Sequence, residues 1–182
     1  RAEAERLKET HRVHLVQLAG FAGEPWSHGD GPFLDPMLAE LARYVREARL
    51  REPAVIGHSM GGLTGLLLAQ RHPDLVGRVM SVDSLPFFSA LYGPTATAET
   101  ARPFAEQTAA AIRAMDDAVF RSGQVRTAIT MSRDEASRAA MVEWSVASDR
   151  RAMAAATIPA ASSRRMSSKW GKFSSGLWRH WP

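Results

Sequence analysis

The chain has 182 residues, enough for one ordinary domain or one domain with a small appendage, and 45% of them are apolar, enough for a core. It holds no cysteine, which excludes disulfides and cysteine-ligated metal sites, and no apolar run approaches the roughly 20 residues that span a bilayer. The net charge of +4 is unevenly placed: residues 1–149 carry 16 cations against 19 acids, whereas residues 150–182 carry seven cations and no acid, so the body is slightly acidic and the end strongly basic.

The first residue is Arg1 rather than Met, and residues 1–10 read as the end of a charged surface helix with no apolar stretch of the signal-peptide kind. The simplest reading is a sequence that starts inside a longer gene product. A cytoplasmic location is favoured, and an exported one stays open if a signal peptide preceded Arg1. Arg12 to Leu18 reads as a strand covered on both faces, because Val13, Leu15, Val16 and Leu18 form a nearly continuous apolar run. Gly20, Gly23, Pro25, Gly29, Gly31 and Pro32 then mark a long loop.

Asp35-Pro36 predicts a helix start, with Asp as N-cap and Pro in the first position, and Leu38, Leu41, Val45 and Ala48 give that helix one apolar face. Pro53 closes the region. Ala54 to Gly57 reads as a short buried strand, Met60 to Arg71 as a leucine-rich helix ended by His72-Pro73, and Val76 to Asp83 as a third strand. Strands alternating with helices predict a parallel sheet with right-handed crossovers. From Leu85 to Thr157 the composition favours several helices, with starts at Thr97 to Ala101 and at Asp134-Glu135-Ala136.

Gly57-His58-Ser59-Met60-Gly61 fits the pattern Gly-x-Ser-x-Gly, and Gly62 follows. A strand running straight into a helix through a very tight turn lifts a serine oxygen out of the backbone, where acyl transfer needs it. The turn strains the serine and crowds the positions two before and two after it, which accounts for glycine at 57 and 61. The helix that begins at Met60 aims its free N–H groups at the site, so the Met60 amide is placed to donate to a developing oxyanion. A chance match in a chain of this size has a probability of roughly 6%. The buried strand before the pattern and the helix after it supply the context that a chance match lacks.

Gly-His-Ser-Met-Gly-Gly, the leucine-rich helix ending in Arg71-His72-Pro73-Asp74, and Val76-Gly77-Arg78-Val79 together resemble the α/β-hydrolase fold superfamily of esterases and lipases. The resemblance covers roughly residues 5–85 and extends more loosely over the following helices, where such enzymes insert a cap. It implies an α/β class: a partial α/β-hydrolase fold, a parallel sheet with flanking helices plus a helical cap segment. It implies Ser59 as nucleophile and the Met60 backbone N–H as half of the oxyanion hole. Where the family has Asp-x-x-Gly-x-Gly after its first strand, this chain has Gln17-Leu18-Ala19-Gly20-Phe21-Ala22-Gly23.

Other parts that the resemblance implies are missing. The second oxyanion donor would lie upstream of Arg1. The acid and the histidine should follow the serine in chain order. Asp83 is a candidate acid because it ends the strand after the elbow helix, on the same sheet edge as Ser59, although a turn-forming role competes. His72 lies a helix length away, about 18 Å, and reads as a helix C-terminal residue. His58 adjoins the nucleophile and should point elsewhere. His11, His14 and His28 read as structural or surface residues. His180 has the right order but sits in the tail.

Three regions are expected: 1–84, the partial hydrolase core with its elbow; 85–157, a helical cap or lid; and 158–182, a basic tail rich in Ser and Trp, disordered or frame-shifted from near Ile158. Met115, Met131, Met141 and Met153 are placed either lining a pocket under the cap or packing in its core. The function expected is a serine hydrolase, esterase-like, that acts on a small-molecule ester or related substrate through an acyl-enzyme. The alternatives are a catalytically inactive fragment or binding module, and an acyltransferase or C–C hydrolase on the same elbow. No cofactor, metal, nucleic acid or membrane span is expected, and the oligomeric state is left open. A sheet lacking strands at both ends is expected to expose apolar surface and to associate.

Overall fold

The computed structural model describes residues 2–29, 31, 33–84, 93 and 95–158. The tail, His180 and the foreseen start of the cap at Leu85 therefore lie outside the described residues. Helix α1 (Ala2–Leu7) is followed by residues 12–18, which belong to no strand. The strand expected there is thus corrected. Among the described residues these seven make no ladder to another segment, and Leu15 and Val16 are exposed. An apolar run forms a strand only where a neighbour receives its backbone groups and a layer covers its side chains.

Helix α2 (Leu34–Glu47) buries Leu34, Met37, Leu38, Ala42 and Val45, which fall three or four residues apart on one face. It starts one residue before the foreseen cap. Phe33 occupies the N-cap position without a side-chain bond, so Asp35 is no cap. Asp35 instead lies in the first turn, where a carboxylate suits the helix N-terminus, and it pairs at 2.6 Å with Arg71.

Strand β1 (Ala54–His58), helix α3 (Met60–Arg71) and strand β2 (Arg78–Val82) form one unit. The strands run parallel, with Ala54 opposite Arg78 and His58 opposite Val82. α3 covers one face of this pair. Gly65 permits the close approach, because a Cβ there would stand 3.0 Å from Val55 Cγ1 and 3.3 Å from Val79 Cγ1. The other face is open: Ile56 is 53% and Met80 49% exposed. The reading of β1 as a buried strand is corrected accordingly, since its residues alternate between exposed and partly covered, Val55 being covered by α3.

The core lies between α2 and α3, where Phe33, Met37, Leu38, Leu63, Leu67 and Leu68 are buried together. Trp26, from the preceding loop, stacks on Phe33 with ring centroids 5.7 Å apart.

Four helices follow: α4 (Ala98–Ala114), α5 (Asp117–Met131), α6 (Glu135–Ala147) and α7 (Arg150–Ala156). Thr97 caps α4 and Asp134 caps α6, at the starts read from the sequence. α4 packs on α7, and the buried Ala101, Ala105 and Ala109 of α4 recur every four residues. α7 also reaches the core through Ala152 and Ala155. At its start, the Asp149 amide donates to the Gly20 carbonyl at 2.8 Å and the Ala22 amide donates to Ser148 Oγ at 2.9 Å.

Asp149 is the N-cap of α7, and its carboxylate accepts from the Arg151 amide. The side-chain bond from Arg151 is the main cause holding this carboxyl below its ordinary value of 3.8; partial burial opposes it, and the Arg151 and Ala152 amides assist. A depressed folded pKa means stability that is present above the ordinary value and lost as pH falls through the folded one. Asp149→Ala is expected to cost about 1 kcal/mol in urea unfolding at pH 7. That difference should shrink as pH falls below 3.8. A deficit that does not change with pH would remove the carboxylate from the explanation.

Candidate active site

The turn from β1 into α3 is made by a single residue, Ser59, at φ +52° and ψ −120°. A non-glycine side chain in the left-handed region is held there only by its surroundings. On one side, the Ser59 amide donates to the Val82 carbonyl at 2.9 Å, which carries the β1–β2 pairing right up to the corner. On the other, the Ser59 carbonyl accepts from the Gly62 and Leu63 amides at 3.0 and 3.2 Å and so starts the helix. The hydroxyl makes no helix-capping bond, and the residue is exposed. The backbone of Ser59 is fully engaged while its side chain is presented at a helix N-terminus.

The glycines divide differently from the sequence reading. A Cβ on Gly57 would stand 2.2 Å from the Gly61 carbonyl oxygen and 2.5 Å from the Gly62 nitrogen. A Cβ on Gly61 would meet nothing within 4 Å among the described residues. Gly61 is therefore not required for want of side-chain room, and that part of the reading is corrected. The second crowded position is Gly62, where a Cβ would lie 2.5 Å from Ser81 Oγ and 2.7 Å from Ser84 Cβ. The crowding arises across the turn and against the end of β2, so it does not follow symmetric spacing from Ser59.

Met60 is the first residue of α3, where a backbone N–H has no partner within the helix. Its carbonyl accepts from Thr64 Oγ1 at 2.7 Å, and Thr64 is buried. Asp83 directly follows β2 and also stands at positive φ, +45°. The two strands thus end side by side in two left-handed corners. Asp83 Oδ2 lies 3.7 Å from His58 Nε2, with the Asp83 side chain 90% exposed. An exposed pair at that distance contributes little to stability. Sequence reading sets His58 aside and misses this approach, because it follows from the parallel register, which puts His58 opposite Val82, one residue before Asp83.

The other described histidines are engaged away from Ser59. His72 is the C-cap of α3, its amide donating to Leu68. His11 meets Thr10 Oγ1 at 2.8 Å, His14 meets the Tyr44 hydroxyl at 2.5 Å, and His28 meets Glu40 at 2.7 Å. Met115, Met141 and Met153 are partly buried, whereas Met131 is 60% exposed and so does not pack in a core. Among the described residues no group of three or more His, Asp or Glu side chains is placed to hold a metal, and no helix is long and apolar enough to cross a membrane.

The profile of the alpha/beta hydrolase fold family matches residues 2–171. Among curated proteins, the pimeloyl-(acyl-carrier protein) methyl ester esterase of Neisseria meningitidis serogroup C is 43% identical over 72 residues, 39% of this chain and 25% of that protein. The protein of the same name from Vibrio cholerae serotype O1 is 32% identical over 87 residues, 48% of this chain and 32% of that protein. An abhydrolase domain-containing protein of Schizosaccharomyces pombe is 32% identical over 69 residues, 35% of this chain and 26% of that protein. The matched part of the chain thus spans about a quarter to a third of these relatives' length. No solved structure matches the chain.

Proposed function

The chain belongs to the α/β-hydrolase fold family, and from that membership we propose that it is an esterase-like serine hydrolase whose nucleophile is Ser59. The observation that carries the reading is the Ser59 corner. Its backbone is locked by bonds to Val82, Gly62 and Leu63, while its hydroxyl is free of helix capping and exposed. The proposed reaction is attack of the Ser59 oxygen on the carbonyl of a small ester. The alcohol leaves as the acyl-serine forms, and water then releases the acid. The Met60 amide is assigned to the oxyanion, since it sits at the N-terminus of α3. Asp83 is assigned as the acid because it exits β2 beside Ser59 in a strained conformation. Ester substrates, with methyl esters of acyl chains first among them, suit the names of the bacterial relatives.

One observation favours a second reading, an elbow retained without turnover. The carboxylate of Asp83 faces solvent, with His58 at 3.7 Å across an exposed gap. An acid that orients a catalytic histidine is ordinarily buried against it.

A fluorophosphonate probe separates the two readings. The wild-type chain is expected to label covalently and Ser59→Ala not at all, with ester hydrolysis falling by roughly 10³-fold or more in the variant. Equal labelling of both, or none of either in protein shown to be folded, would establish the second reading.

A further inference from the structure

Between α4 and α7 the chain departs as α5, turns, and returns as α6. Among the described residues these two helices pack chiefly on each other, whereas α4 packs on α7. The pair is tied internally. Both terminal nitrogens of Arg121 on α5 donate to one carboxylate oxygen of Glu143 on α6, at 2.9 and 3.0 Å. At the tip, Arg138 Nε donates to the Ser132 carbonyl at 2.6 Å and Asp134 caps α6. At the root, each helix is joined to the body through an extended residue: Met115 at φ −67°, ψ 136° and Ser148 at φ −76°, ψ 145°.

One side chain spans both joints. Arg150, in the first turn of α7, donates to the Met115 carbonyl and to the Asp117 carboxylate at the start of α5. Its guanidinium also lies 4.5 Å from the centre of the buried Phe120 ring. A planar cation with a carbonyl and a carboxylate along its edge and a ring against its face has one orientation available to it. α7 itself is anchored, through Asp149 and Ala152, to the loop at Gly20 and to the core.

We propose that α5 and α6 form a rigid arm hinged at Met115–Asp116 and Ser148–Asp149, and that Arg150 is the pin that fixes its angle to the body. Releasing the pin turns the arm as one piece, because the Arg121–Glu143 tie and the closed tip travel with it. The arm carries Val119, Val125 and Ile129 exposed on α5, so its angle decides where that apolar strip lies.

The chain has no cysteine of its own, so pairs of spin labels can be placed without background. Arg43→Cys on α2 with Val125→Cys on α5 reports body to arm; Val125→Cys with Ala139→Cys on α6 reports within the arm. These positions are exposed. Adding Arg150→Ala is expected to broaden the body-to-arm distance distribution about twofold and to leave the within-arm distribution as narrow as before. An unchanged body-to-arm distribution would show that Arg150 pins nothing. Broadening of both would show that the arm is not rigid. Asp117→Asn releases the pin from its exposed end. It is expected to give a smaller broadening in the same body-to-arm pair alone, and it decides the matter should Arg150→Ala not fold.

Discussion

Gly57→Ala is expected to destabilise the protein by about 3 kcal/mol or more, a large share of the roughly 5–15 kcal/mol that keeps a domain folded. The added methyl carbon would stand 2.2 Å from the Gly61 oxygen, 2.3 Å from the Gly61 carbon and 2.5 Å from the Gly62 nitrogen. All three atoms are backbone, in the first turn of a helix whose start is fixed by the Ser59 carbonyl. No rotamer change relieves such a contact, so either β1 or α3 must move, and β1 is held to β2 along its length. Gly61→Ala supplies the control. Its methyl meets open space at a position already in helix, so it is expected to be neutral or to stabilise by up to about 1 kcal/mol. Urea unfolding of the two variants side by side reads the contrast. Similar midpoints for both would mean that the corner yields and that its rigidity has been overstated.

Gly20→Ala is expected to cost about 3 kcal/mol for two separable reasons. Gly20 sits at φ +83°, where a side chain costs roughly 1–2 kcal/mol. Its added methyl would also stand 2.3 Å from Ala152 Cβ and 3.0 Å from the Trp26 ring, between the loop and α7. Ala152→Gly in the same chain vacates the nearer contact and leaves the φ penalty in place. A double-mutant cycle should therefore return a favourable coupling of about 1–2 kcal/mol. A coupling near zero would attribute the whole cost to the backbone and deny that Gly20 and Ala152 form the seat of α7.

The parts of the fold legible in the sequence are those specified by local chemistry. α3 occupies Met60–Arg71 as the Leu-rich run between Ser59 and His72-Pro73 foretold, and Thr97 and Asp134 cap helices because their side chains satisfy amides within their own first turn. The parts that were not legible depend on distant partners. Val13, Leu15, Val16 and Leu18 have strand composition but no ladder among the described residues, and composition cannot supply one. Asp35 looks like a cap and serves as Arg71's partner instead. At the site, the elbow was legible because strand, serine and helix are contiguous. The approach of His58 to Asp83, and of Ser81 and Ser84 to Gly62, required the register of β2 on β1, which a single sequence does not state.

The bond from the Ala22 amide to Ser148 Oγ joins residues 126 positions apart, whereas Ala54 meets Arg78 across a short crossover. The entropy lost on closing a loop rises with the logarithm of its length, so the longer closure costs about 1.5 kcal/mol more than the shorter. Helix pairs and the β1–α3–β2 unit can assemble from near neighbours first. The seating of α7 on the Gly20 loop is then expected to come late in the order of folding, and a nascent chain cannot complete it until Ser148 has been synthesised.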